Sequence, residues 1–219
     1  MDLERIFAIV IANILVTNFV LARFLGLCPF IGVSKRTSSA FGMGMAVTFV
    51  MTMASLITYL LYSYVLKPGA PLLVWLAGPE SRIAQDGLET ALRTVSYILV
   101  IASLVQLVEM FLRKVFPPLY RALGIYLPLI TTNCAVMGVA LLNTTDAPDL
   151  LKPLSLGKAV LQGFCAGLGF TLAMLLMSGI RERLELLDVP KPMRGVPIAF
   201  VCTGLMALAF FGFTGMVRL

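Results

Sequence analysis

Two cysteines carry the strongest chemical signal in this chain. Cys134 lies within Leu127-Pro128-Leu129-Ile130-Thr131-Thr132-Asn133-Cys134-Ala135-Val136-Met137-Gly138, an apolar run broken by a proline and by polar residues. Cys28 lies 106 residues earlier, in Gly26-Leu27-Cys28-Pro29-Phe30-Ile31-Gly32-Val33, and both sites read Cys-x-x-x-Gly-Val. An apolar span rarely holds a proline, polar side chains and a cysteine together unless its backbone is interrupted there for a purpose. Pro29 suits the first position of a helix and Asn133 can cap a helix beginning at Cys134, so each sulfur is expected at the start of a half-helix. Free N–H groups and the helix dipole favour negatively charged sulfur there. An isolated ion in the hydrocarbon would cost on the order of tens of kcal/mol before relaxation, an objection that a bound metal removes. Two thiolates are fewer than the four cysteine ligands an iron–sulfur cluster normally takes, so a cluster would need another pair from another chain. A disulfide between the two is the competing structural reading, less suited to a capped, polar site. Cys165 and Cys202 lie in ordinary helical runs and read as small buried hydrophobes.

The elements that must position these cysteines are membrane-embedded. With 59% hydrophobic residues, 13% charged and a mean hydropathy of +0.97, the chain is an all-α integral membrane protein and one domain over residues 1–219. The net charge of +6 is spread through short loops between apolar runs, where it signals topology rather than nucleic-acid binding. The acidic start, Met1-Asp2-Leu3-Glu4-Arg5, is unlike a cleavable leader, so the first span is expected to be kept. The chain has no histidine, which excludes histidine-ligated haem, histidine zinc sites and Rieske-type ligation within it. Any metal must be held by sulfur or oxygen.

Six spans are expected, at about residues 6–33, 39–66, 94–112, 122–143, 159–180 and 196–217, most of them near the ~20 residues a helix needs to cross the hydrocarbon. The first is overlong and contains Arg23, Gly26, Pro29 and Gly32, which predicts a helix followed by a half-helical return. The longest connection, 67–93, contains Leu72-Leu73-Val74-Trp75-Leu76, an interfacial patch with Trp75 at headgroup level. Connections one, three and five carry Lys35, Arg36, Arg113, Lys114, Arg121, Arg181, Arg183, Lys191 and Arg194, nine basic residues against five in the other two. The odd loops are therefore expected on the cytoplasmic side, with both termini outside.

The cysteine motifs fall in spans one and four, and Gly42-Met43-Gly44 of span two is answered by Gly167-Leu168-Gly169 of span five. Repeats of about 1–112 and 113–219 then hold three spans each. An odd number inverts the second repeat, which predicts two inverted three-helix repeats about an axis in the membrane plane. Equivalent positions near that axis, Cys28 and Cys134, can approach one another at mid-depth.

Charged residues within the spans have two readings each. Arg23, five residues before Cys28, is either a snorkelling side chain or a positive charge that offsets a cluster. Glu109 precedes Arg113 by four residues, which favours a helical ion pair over a carboxylate on an ion path. Thr131, Thr132 and Asn133 could donate to cluster sulfurs or satisfy an interrupted backbone. The Arg181-Glu182-Arg183 run reads as a solvated loop end, with docking of a soluble subunit as the lesser alternative.

Gly26 to Lys35, Gly42-Met43-Gly44, Leu99-Val100-Ile101-Ala102, the stretch from Leu127 through Asn143, and Ile180-Arg181-Glu182-Arg183-Leu184 together resemble the A-type membrane subunits of Rnf complexes, the bacterial ferredoxin:NAD oxidoreductases. They resemble more distantly the D- and E-type subunits of the sodium-pumping NADH:quinone reductase. The resemblance covers nearly the whole chain and is weakest at 68–86, where this loop is longer than usual. It implies a six-helix electron-transfer protein within a redox-driven ion translocase of the bacterial inner membrane. It also implies a homologous, oppositely oriented E-type partner, the two proteins sharing an intramembrane [2Fe-2S] cluster with two cysteines from each. Carried over, this chain's ligands are Cys28 and Cys134, with Arg23, Gly26, Thr132 and Asn133 around them. Electrons would pass between cytoplasmic iron–sulfur and flavin sites and flavin on the far side, coupled to Na+ or H+ translocation. The chain has no Ser/Thr-Gly-Ala-Thr flavin-attachment motif and no Gly-x-Gly-x-x-Gly fingerprint, so flavin and nucleotide chemistry is expected in partner subunits. The rival readings are an inverted-repeat ion or solute carrier and a scaffold without a redox centre.

Overall fold

The computed structural model describes residues 10–66, 89–115, 127–143 and 156–215. All regular structure among them is helical. The first element among the described residues is a π-helical turn, Ala12–Val16, followed by irregular turns and a short helix α1, Leu27–Val33. Then come α2, Thr37–Leu61, and α3, Glu89–Val115. The fourth span is split into α4, Leu127–Thr131, and α5, Cys134–Leu142. The last long helices are α6, Leu156–Glu185, and α7, Val196–Phe211. Among the described residues three stretches are long and apolar enough to cross a membrane: Thr37–Tyr64, Thr94–Val115 and Leu156–Glu185. The apolar helices Leu129–Leu142 and Val196–Phe211 are shorter. Spans one and four are interrupted, as the proline, glycine and asparagine at their breaks predict. The Trp75 patch lies outside the described residues.

The centre of the fold is the antiparallel pair α2 and α6. Thr37, at the start of α2, meets Ser178 and Glu182 near the end of α6, whereas Ser55 meets Gly163 towards its beginning. Small residues bring the two backbones together. A Cβ on Gly167 would lie 2.6 Å from Thr48 Cα, and one on Gly44 would lie 2.6 Å from Thr171 Cγ2. The contact is reciprocal: Thr48 Oγ1 donates to Gly44 O, Thr171 Oγ1 donates to Gly167 O, and the two hydroxyls stand 3.1 Å apart. Lipid supplies little hydrophobic drive for helix association, so such close approach is what holds a bundle together. The sequence pairing of glycines needs one adjustment. Gly44, not Gly42, occupies the position that answers Gly167.

The outward faces are apolar too. Ile98, Leu99, Leu107, Met110 and Phe111 on α3 and Phe200, Leu205, Leu208 and Phe211 on α7 are exposed, as expected where the solvent is hydrocarbon or another membrane helix. Polar side chains point inward and serve the backbone. Asn18, fully buried, donates Nδ2 to Gly169 O at 2.7 Å and to Ile14 O at 3.2 Å, and its Oδ1 accepts from Val20 N and Leu21 N. One amide thus satisfies four backbone groups around the break in span one, which water cannot reach in a bilayer.

Candidate functional site

The two interrupted spans meet at their breaks. Gly26 caps α1 with φ 83° and ψ 24°, a left-handed conformation costly for a residue with a Cβ, and the preceding Phe24 also has a positive φ of 54°. The chain therefore turns sharply into α1, which begins at Leu27. Cys28 is its second residue and Pro29 its third, so Pro29 stands two places later than its usual first position. The correction has a simple cause: the first four N–H groups of a helix have no intrahelical partner, so a proline anywhere in that turn loses nothing. In span four the break falls at Thr132 and Asn133. Asn133 caps α5 as expected, its Oδ1 accepting from Ala135 N at 3.0 Å.

A Cβ on Gly26 would lie 2.8 Å from Asn133 Oδ1, 3.0 Å from Phe170 Cε2 and 3.2 Å from Ala135 Cβ. The cap of one half-helix therefore rests directly on the cap of the other. Cys28 is two residues from the first cap and Cys134 one residue from the second. Both thiols are exposed at the surface of this chain, whereas Cys165 is buried and Cys202 half-buried against the core. No disulfide joins any of the four, since all are free. Cys134 Sγ makes one weak contact, 3.9 Å to Thr132 O. Asn133 is 3% exposed, and its Nδ2 is buried without a hydrogen-bond partner. Among the described residues no three potential metal ligands of the His, Cys, Asp and Glu types come together. This chain alone brings two sulfurs and an unused amide donor to the junction.

Of the other expected site residues, Arg23 is exposed and its guanidinium stands 5.7 Å from the Phe19 ring centroid, a cation–π contact on the chain's own surface. Thr132 is exposed beside Cys134. Glu109 and Arg113 form no ion pair; the one among the described residues joins Arg194 to Asp188 at 3.9 Å. Two long side chains four apart on an exposed helical face gain little by holding one geometry, so the expected pair does not form.

The Arg181-Glu182-Arg183 run is not a loop end. All three residues lie within α6, and Arg181 is 9% exposed. Its Nη1 donates to Ile31 O at 2.6 Å and to Ser34 Oγ at 3.0 Å, so a guanidinium closes the C-terminus of the half-helix that carries Cys28. Glu182 Oε1 accepts from Thr37 N and Thr37 Oγ1 at 2.8 and 2.7 Å, capping α2 from a neighbouring helix. Sequence reading missed these roles because an RER triplet after an apolar run looks like a membrane boundary. The signal that points the other way is the apolar and small residues at 173, 174, 177 and 178, which continue the buried stripe of α6 to 181.

The chain matches, over residues 6–217, the family described as "Rnf-Nqr subunit, membrane protein". It is 51% identical over 211 residues to the A-type subunit of the "ion-translocating oxidoreductase complex" of Aliivibrio salmonicida, covering 96% of this chain and 97% of that one. The protein of the same name from Actinobacillus pleuropneumoniae is also 51% identical, and that from Vibrio cholerae 49%, at the same coverage of both chains. Matched over nearly its whole length and carrying the two interrupted spans, the chain belongs to the Rnf–Nqr family of membrane subunits.

Proposed function

We propose that this chain is the A-type member of an ion-translocating oxidoreductase complex, and that Cys28 and Cys134 supply two of the four ligands of a [2Fe-2S] cluster shared with a homologous E-type partner. The observation that carries the reading is the junction itself: two exposed thiols in the first turns of two half-helices whose caps touch. The residues present fit half of such a site. Both cysteines lie in the first turn of a half-helix, where the helix dipole favours negative charge, Asn133 Nδ2 is a buried donor without a partner, and the absence of a side chain at Gly26 lets the two caps touch. When bound, the cluster supplies a one-electron relay at membrane depth. Cys28 and Cys134 hold it, Asn133 fixes the start of α5, Arg181 fixes the end of α1, and the apolar core behind them excludes water.

The reading extends to a bacterial inner-membrane complex whose other subunits, some with flavins and iron–sulfur clusters, pass electrons between ferredoxin and NAD, coupled to Na+ or H+ movement. The basic residues of the odd loops support a periplasmic side for both termini. The reciprocal packing of Gly44 and Thr48 with Gly167 and Thr171 supports two inverted repeats, since a two-fold axis between Thr48 and Thr171 exchanges the antiparallel α2 and α6. The test is Cys28→Ser and Cys134→Ser, each in the intact purified complex. Loss of one [2Fe-2S] signal by electron paramagnetic resonance, with about two iron atoms fewer per complex and all subunits still present, is the expected result. An unchanged spectrum and iron content in both variants would overturn it in favour of a carrier or scaffold.

A further inference from the structure

A buried cation stands on the half-helix that carries Cys28. Arg181 is 9% exposed and reaches from α6 to the last turn of α1, donating Nη1 to Ile31 O at 2.6 Å and to Ser34 Oγ at 3.0 Å. Ser34 is itself fully buried. Among the described residues no carboxylate meets the guanidinium: the neighbouring Glu182 is exposed, and its Oε1 accepts from Thr37 N and Thr37 Oγ1 instead. A charge withdrawn from water is normally paired, because its desolvation is costly. Two neutral acceptors satisfy the hydrogen bonds of Arg181 and leave its charge uncompensated.

Closing a half-helix does not in itself require a charge. The other half-helix of the junction, α5, ends at Asn143, an uncharged C-cap whose Nδ2 donates to Ser55 Oγ at 3.0 Å. What distinguishes the end of α1 is its closeness to a cysteine. Ile31 follows Cys28 by three residues in the same helix, a rise of about 4.5 Å, so the cation bonded to Ile31 O stands roughly 10 Å from Cys28.

We propose that Arg181 is a counter-charge for the cluster, its buried guanidinium raising the reduction potential of a [2Fe-2S] centre held by Cys28 and Cys134. The proposal rests on the cluster reading and assigns to it a residue that tunes the centre without touching it. The sign follows from charge: a gained electron makes the site more negative, and a fixed cation nearby favours that state. One unit charge at roughly 10 Å and an effective dielectric of about 20 shifts a one-electron equilibrium about tenfold, which corresponds to about 59 mV.

The experiment is a redox titration of the [2Fe-2S] paramagnetic signal in the intact purified complex, for wild type, Arg181→Gln, Arg181→Lys and Arg183→Gln. Glutamine keeps an amide donor for Ile31 O and removes the charge, so the midpoint is expected to fall by about 59 mV. Lysine keeps the charge, and its midpoint is expected to stay near that of wild type. Arg183 is exposed two residues further along α6, where solvent screens its charge, so Arg183→Gln is expected to titrate as wild type. A wild-type midpoint in Arg181→Gln overturns the proposal, as does an equal fall in Arg181→Lys or in Arg183→Gln. If Arg181→Gln does not assemble, Ser34→Asp decides alone: a carboxylate beside the guanidinium neutralises it in place, so a similar fall is expected and an unmoved midpoint overturns the proposal. A complex without the signal, or one whose signal survives both cysteine replacements, sinks the cluster reading and this proposal with it. A normal signal with an unmoved midpoint sinks the proposal alone.

Discussion

Replacing Gly26 by alanine tests the geometry on which the cysteine site depends. Two costs add. An L residue at φ 83° sits in the left-handed region, a cost of roughly 1–2 kcal/mol. The new methyl would also lie 2.8 Å from Asn133 Oδ1 and 3.0 Å from Phe170 Cε2, neither a freely moving end, since Asn133 is held by its cap bond and Phe170 is fully buried. Overpacking of this kind costs about 1–3 kcal/mol. A total of about 2–5 kcal/mol is then relieved by pushing the two caps apart, which moves Cys28 away from Cys134. The expected outcome in the purified complex is a lower thermal inactivation temperature together with reduced iron and a weakened or broadened cluster signal. Gly204→Ala is the control, because no atom lies within 4 Å of a Cβ built there in α7; alanine at that helical position is expected to be neutral or to stabilise by about 0.5–1 kcal/mol. Wild-type stability and iron content in Gly26→Ala would refute the idea that the two caps must touch.

Arg181→Met removes the donor from Ile31 O and Ser34 Oγ; at about 1.5–3 kcal/mol for a charge-assisted bond, thermal inactivation of the complex should fall markedly, and Arg181→Lys should recover part of it. Gly167→Ala drives a methyl to 2.6 Å from the Thr48 backbone, so loss of about 1–3 kcal/mol or failure to insert stably is expected, read as the yield of assembled complex in detergent. Asn133→Ala should cost about 1 kcal/mol through the lost cap to Ala135 N, whereas Asn133→Ser keeps the cap; a cluster signal altered in both variants but stability altered only in the first separates the amide's two roles.

Where the sequence was legible, a local rule carried the information. The break before Cys134 could be read because asparagine caps helices and the surrounding run is too polar for an unbroken span. The break before Cys28 could be read as well, but its register could not: the helix starts at Leu27 because Gly26 adopts a left-handed conformation, and nothing local distinguishes that from a start at Pro29. The pairing of Gly44 rather than Gly42 with Gly167 is a long-range fact, fixed by which glycine meets a threonine across the helix crossing. Arg181 and Glu182 were misread for a related reason. Arg181 is buried against the end of α1, and Glu182, although exposed, caps the start of α2, so neither charge simply marks the end of a span. Asn18 and Asn143 stand out as polar residues in or beside apolar runs, yet their partners, Gly169 and Ser55, lie 151 and 88 residues away.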